Sequence, residues 1–146
     1  MLFLVHHAEA ADAVVDPQRP LTDAGRQHAE QLAAHAHERG AKPVVIWHSG
    51  KLRARQTAEY FWRACNPLAE FSAARALQPG DPPEWIKELI QEDERDVMLV
   101  GHMPHMARLL ALLIGAGESA SAFPLHGIVA LNRSEGGWRQ EWVLRF

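Results

Sequence analysis

The chain has 146 residues, 47% of them hydrophobic and 23% charged, with a formal net charge of −3 at pH 7. That length suits one domain with a sizeable core, residues 1–146. The charge gives no ground for a nucleic-acid partner, and no apolar run reaches the length of a membrane span. The N-terminus lacks a basic n-region and a cleavage-site pattern, and the single Cys65 cannot form an internal disulfide; both point to a cytoplasmic protein.

Apolar, partly β-branched runs alternate with helical patterns along the chain. Leu2–Val5 reads as a first strand, followed by a loop punctuated by Asp16-Pro17 and Arg19-Pro20. Thr22 or Asp23 caps a helix whose apolar residues Ala29, Leu32, Ala33 and Ala36 recur at helical spacing until Gly40. Val44–Trp47 reads as a buried strand ending at His48-Ser49-Gly50. A second helix spans about Leu52–Cys65 and stops at Asn66-Pro67. Ala69–Ala76 has room for a short strand, Gln78–Pro83 is a turn, and Glu84 to about Glu92 is an amphipathic helix. Val97–Val100 is another buried strand, ending at Gly101-His102, and Met103–Ile114 is a strongly apolar helix. Gly127–Leu131 and Trp138–Leu144 form a closing hairpin around Glu135-Gly136-Gly137. The expected fold is a three-layer α/β/α sandwich with a mostly parallel central sheet and an antiparallel edge.

Three of the strand-like runs end in unusual polar residues: His6-His7, His48-Ser49 with Arg53 and Arg55 beyond, and Gly101-His102. Parallel strands bring their carboxyl ends to one edge, where open α/β sheets bind ligands. One cleft would then hold His7, Arg53 and His102, with His6, His48 and Ser49 nearby. An arginine fork and a helix N-terminus after Ser49-Gly50 suit a phosphate or sulfate ion. A neutral imidazole can attack phosphorus and carry the phosphoryl group, and a second one can stabilise the transferring oxygens. That scheme needs no metal and no cofactor.

The motifs resemble those of the histidine phosphatase superfamily, and within it the small SixA-type phosphohistidine phosphatases. The strand-Arg-His-Gly opening appears as His6-His7-Ala8, the Arg-Pro-Leu-Thr…Gly stretch as Arg19–Gly25, the Ser-x-x-x-Arg-Ala-x-Gln-Thr-Ala stretch as Ser49–Ala58, and the late Gly-His as Gly101-His102. The resemblance implies a phosphoglycerate mutase-like fold and hydrolysis of phosphohistidine in a protein, or of a small phosphomonoester. It implies His7 as the phosphorylated nucleophile, Arg53 as a phosphate clamp and His102 as the second pocket histidine. Ser49 and His6 would complete the phosphate pocket. Larger members use an acidic proton donor; Asp81 or Glu84 lies in roughly the matching region.

The departure is His6, which stands where the family has arginine. An imidazole cannot reproduce the guanidinium fork, and losing one preorganised donor commonly costs on the order of 10²–10³ in rate. The expectation is a weakened phosphatase unless Arg19 or Arg55 substitutes, with a protonated His6 serving in part at lower pH. The alternative is an impaired module that binds phosphate or a phosphoprotein. A lesser reading pairs His102 with His105 as metal ligands, completed by His6, His7 or His48.

Overall fold

The computed structural model describes residues 1–115 and 123–145. In chain order these form β1 (Leu2–His6), α1 (Asp23–Glu38), β2 (Val45–His48), α2 (Leu52–Cys65), β3 (Glu70–Ala73), α3 (Pro83–Gln91), β4 (Val97–Gly101), α4 (His105–Ile114), β5 (Ile128–Ser134) and β6 (Gly137–Leu144). The six strands make one sheet in the order β3-β2-β4-β1-β5-β6. β3, β2, β4 and β1 run parallel; β5 pairs antiparallel with β1, and β6 antiparallel with β5. The antiparallel part is therefore a two-stranded hairpin, with β6 at the edge.

Alternation along β1 builds the layers. Phe3 and Val5 pack with Leu32, Ala36, Ala58 and Phe61 of α1 and α2 on one face. Leu2 and Leu4 pack with Ile86, Ile90, Met106 and Leu109 of α3 and α4 on the other. Both faces are covered, which is why β1 and β4 are buried at every position and read as continuous apolar runs. The structure is thus the three-layer α/β/α sandwich expected from sequence.

Element ends follow local chemistry. Thr22 caps α1, its side chain accepting the Gly25 N–H. A Cβ at Gly25 would collide with the Glu9 carbonyl, so only glycine lets the loop after β1 lie against this helix. The helix expected from Met103 starts at His105, after Pro104. Among the described residues no helix is long and apolar enough to cross a membrane.

Candidate active site at the carboxyl edge of the sheet

The parallel register places His6 opposite Gly101, with His48 opposite both Val100 and Ala73. The polar residues that end β1, β2 and β4 therefore meet along one edge. Because β5 runs the other way, its amino end arrives at that same edge, with Ile128 opposite Val5. This delivers His126, which sequence reasoning did not select.

His7 and His102 face one another with ring centroids 5.1 Å apart, and His7 is 4.5 Å from His6. His7 Nδ1 lies 2.7 Å from the Ala8 carbonyl. A carbonyl only accepts, so Nδ1 carries the proton and the Nε2 lone pair is free. Burial, with smaller contributions from Arg53 and His126, lowers the His7 pKa to about 4 despite the opposing Ala8 hydrogen bond. The ring is neutral near pH 7, the state a nucleophile requires.

The loop carrying His7 and Ala8 is fastened by α2. Thr57 Oγ1 accepts the Ala8 N–H at 3.0 Å, and Gln56 Oε1 accepts the Leu21 N–H at 2.8 Å. These contacts explain the Gln-Thr pair of the Ser49–Ala58 motif. On the other side of the cluster, Gln78 donates from Nε2 to the Ser49 carbonyl at 2.7 Å.

Two buried nitrogens near His7, Nε of Arg53 and Nδ1 of His102, have no hydrogen-bond partner among the described residues. Leaving such a group unsatisfied costs about 1–3 kcal/mol, so an oxyanion that accepts from both recovers that cost. Ser49 Oγ sits 2.6 Å from His102 Nε2 and also accepts the Lys51 N–H at 3.3 Å. With the Ser49 hydroxyl donating to Nε2, Nδ1 of His102 carries the proton and is a donor. Burial, then His7 and Arg53, lowers the His102 pKa to about 3. Arg53 is held below its usual value by burial and by Arg19, yet a guanidinium remains cationic.

His6 differs from the sequence expectation. Its Nδ1 accepts the His126 backbone N–H at 2.8 Å, so the neutral ring carries its proton on Nε2. Burial, followed by His7 and His126, lowers its pKa to about 3. His6 is thus a fixed neutral donor, and mild acidification does not turn it into a cation. Of the two proposed substitute cations, Arg19 acts on both His7 and Arg53. Arg55 does not join the cluster; it faces Glu59 at 3.6 Å.

Neither acidic candidate is among the groups that act most strongly on His6, His7 or His102, although Asp81 lines a groove that reaches Ser49. Asp81 accepts the Gln78 N–H at 3.0 Å and shares a groove with Trp85 and Glu88. Glu84 is exposed on the first turn of α3. His48 accepts the Gly50 N–H and packs on Phe71, shaping the loop rather than facing His7. His105 is fully buried, with Asp81 and the Ala76 carbonyl acting on its ring. Among the described residues, no group of three potential metal ligands includes His102 and His105.

The histidines that do approach one another are His6, His7 and His126, with one ring nitrogen of each within 4.8 Å of the others. That spacing resembles a three-histidine metal site, but the hydrogen bonding does not fit one. Nδ1 of His6 is occupied by the His126 N–H and its Nε2 is protonated, leaving no lone pair for a cation.

The profile of the histidine phosphatase superfamily (branch 1) matches residues 2–78. The chain belongs to the histidine phosphatase superfamily. It is 31% identical to a structure assigned to the phosphohistidine phosphatase SixA of Agrobacterium tumefaciens, with a TM-score of 0.84 over 98% of this chain and 96% of the other. A protein histidine phosphatase SixA complexed with tungstate superposes with a TM-score of 0.83 at 24% identity, over 99% and 96% of the two chains. A phosphoserine phosphatase of Entamoeba histolytica complexed with 3-phosphoglyceric acid gives 0.74 at 14% identity, over 97% and 95%. The last two likenesses establish the shared fold. No curated protein matches the chain at a significant level.

Proposed function

We propose that the protein is a metal-independent phosphatase acting through a phospho-His7 intermediate. The observation that carries this is the His7 hydrogen bond to Ala8, which frees Nε2 beside the unsatisfied donors of Arg53 and His102. Nε2 attacks phosphorus and the bond to the leaving group breaks; water then cleaves the P–N bond and returns the lone pair to Nε2. Arg53 Nε–H, His102 Nδ1–H and His6 Nε2–H donate to the equatorial oxygens, where charge builds up. Ser49 sets the His102 tautomer. His6 supplies one neutral donor where the family has a charged fork, so the rate is reduced.

The exposed apolar side chains favour a phosphorylated protein as substrate. Among the described residues the large ones are Val14, Val15, Val44, Leu68, Trp85, Leu89 and Leu125. Val44 and Leu68 precede β2 and β3 at the far edge. Trp85 and Leu89 rim the candidate site, lining a groove of about 660 Å³ that reaches Ser49; Leu125 adjoins His126 in the chain, and Val14 and Val15 lie in the loop after β1. Clustered exposed apolar surface of this kind marks a protein contact. A phosphohistidine side chain on a protein surface fits that rim better than a small free phosphoester.

The test is turnover by protein treated with a chelator, using an aryl phosphate and a phosphohistidine-bearing protein. Turnover that disappears in His7→Ala, with acid-labile phosphate trapped on His7 of the wild type, is expected. Chelator-sensitive turnover would overturn metal independence. A second reading, a phosphate- or phosphoprotein-binding module, is favoured by the neutral His6; phosphate binding with no labelling of His7 would establish it.

A further inference from the structure

We infer that His126 is a catalytic residue of this site, the acid that protonates the leaving group and the base that then activates water. The inference rests on the phosphatase reading and adds the proton-transfer group that reading lacks.

Four observations converge on this side chain. Its Nδ1–H donates to the His7 carbonyl at 2.7 Å, fixing the ring on the nucleophile's own backbone and leaving Nε2 uncommitted. The ring stacks on His6, with centroids 4.8 Å apart and planes 8° from parallel, and its centroid is 6.0 Å from that of His7. It is half-buried and so more open to solvent than His6, His7 and His102, which are buried. Its backbone is held at φ +53, a left-handed conformation that a non-glycine residue adopts only when its surroundings impose it. The backbone N–H bond to His6 and the side-chain bond to His7 are what impose it.

The surroundings leave few other groups for the task. The charged and titratable groups that act most strongly on His6, His7 and His102 are other histidines, Arg53, Arg19 and Lys51; no carboxylate is among them. Asp81 and Glu84 belong to the groove and the α3 surface. An imidazole with one nitrogen anchored and the other uncommitted can both give and take a proton there.

His7 Nε2 attacks phosphorus while the leaving atom takes the bonding pair and the proton from Nε2–H of the His126 imidazolium. Neutral His126 then accepts a proton from the water that attacks phospho-His7. The P–N bond breaks, its pair returns to His7, and the imidazolium is restored. Throughout, Nδ1–H stays on the His7 carbonyl.

The test compares first-turnover release of phenol from phenyl phosphate with release of nitrophenol from p-nitrophenyl phosphate. Phenolate is a poor leaving group and needs a proton; p-nitrophenolate leaves without one. The variant is His126→Asn, because asparagine tolerates a positive φ and its amide can donate to the His7 carbonyl. Phenol release is expected to fall on the order of 10²-fold, and nitrophenol release at least tenfold less than that. His126→Gln, checked by circular dichroism, is expected to show the same split. An equal fall for both substrates, or no fall, would overturn the inference and leave His126 a structural prop. Absence of turnover and of labelling in the wild-type protein would instead overturn the phosphatase reading, and this inference with it.

Discussion

Nδ1 of His7 donates to the carbonyl of its own neighbour Ala8 at 2.7 Å, so a single local hydrogen bond decides which nitrogen of the candidate nucleophile is reactive. Nothing in that bond depends on a distant element. What α2 contributes is the position of the carbonyl, by accepting the Ala8 N–H on Thr57. Thr57→Val is therefore expected to release the loop. It should lower turnover about tenfold and cost about 1–3 kcal/mol of stability, since the Thr57 hydroxyl loses its bonds from the Ala8 N–H and to the Arg53 carbonyl. Paired measurements of kcat and urea midpoint test this; an unchanged kcat would show that Ala8 is held by other means.

Ser49 and His102 form the next relationship in the site. Their 2.6 Å contact selects the His102 tautomer with its proton on Nδ1 when the hydroxyl donates. Ser49→Ala should reduce kcat by about 10- to 100-fold while leaving the melting temperature within a few degrees, because the lost group is a small hydroxyl. Ser49→Thr should restore much of the rate. Equal activity in Ser49→Ala would mean that His102 needs no such setting.

The buried histidines make acid stability a readout of the site. An unfolded chain binds protons on these residues below about pH 6.5, whereas His7 resists protonation to about 4, and His6 and His102 to about 3. The unfolded state therefore holds more protons between those limits, and stability falls as pH falls. Each such proton contributes about 1.4 kcal/mol per pH unit, so the three together remove several kcal/mol between pH 6 and 4. Urea midpoints at pH 7, 6 and 5 should decline, and His102→Asn should make the decline shallower by one proton. A midpoint that is flat over this range would count against the buried neutral cluster.

His6→Arg restores the charged clamp in a space that is already filled. His6 is 5% exposed, with the His126 ring stacked on it. First-turnover release of nitrophenol from p-nitrophenyl phosphate, which needs no acid, should rise by about 10- to 100-fold as the guanidinium donates to the phosphoryl oxygens. The larger side chain also displaces the His126 contact, costing about 1–3 kcal/mol and lowering the melting temperature by several degrees. Lower turnover in this variant would show that the His6–His126 pair has become the working arrangement of the pocket.

Much of this protein is legible in its order of residues. Strand and helix alternation follows from hydrophobic period, and burial of both sheet faces leaves β1, β2 and β4 as unbroken apolar runs. Polar residues at the ends of such runs then mark an edge. The sequence also carries the motif that unites Arg53, Gln56 and Thr57, because one helix turn separates the clamp from the residues that fasten the His7 loop. Tertiary structure decided the rest. His126 entered the site because β5 runs antiparallel beside β1, which brings the beginning of a strand to the edge where the parallel strands end. Only packing could show that Asp81 lines the groove beside α3 while Glu84 is exposed, that Arg55 turns to Glu59 while Arg19 acts on His7 and Arg53, and that His105 is buried in the core. The protonation pattern is likewise a tertiary property. Each imidazole has two nitrogens, and which one is free depends on the backbone group that reaches the other.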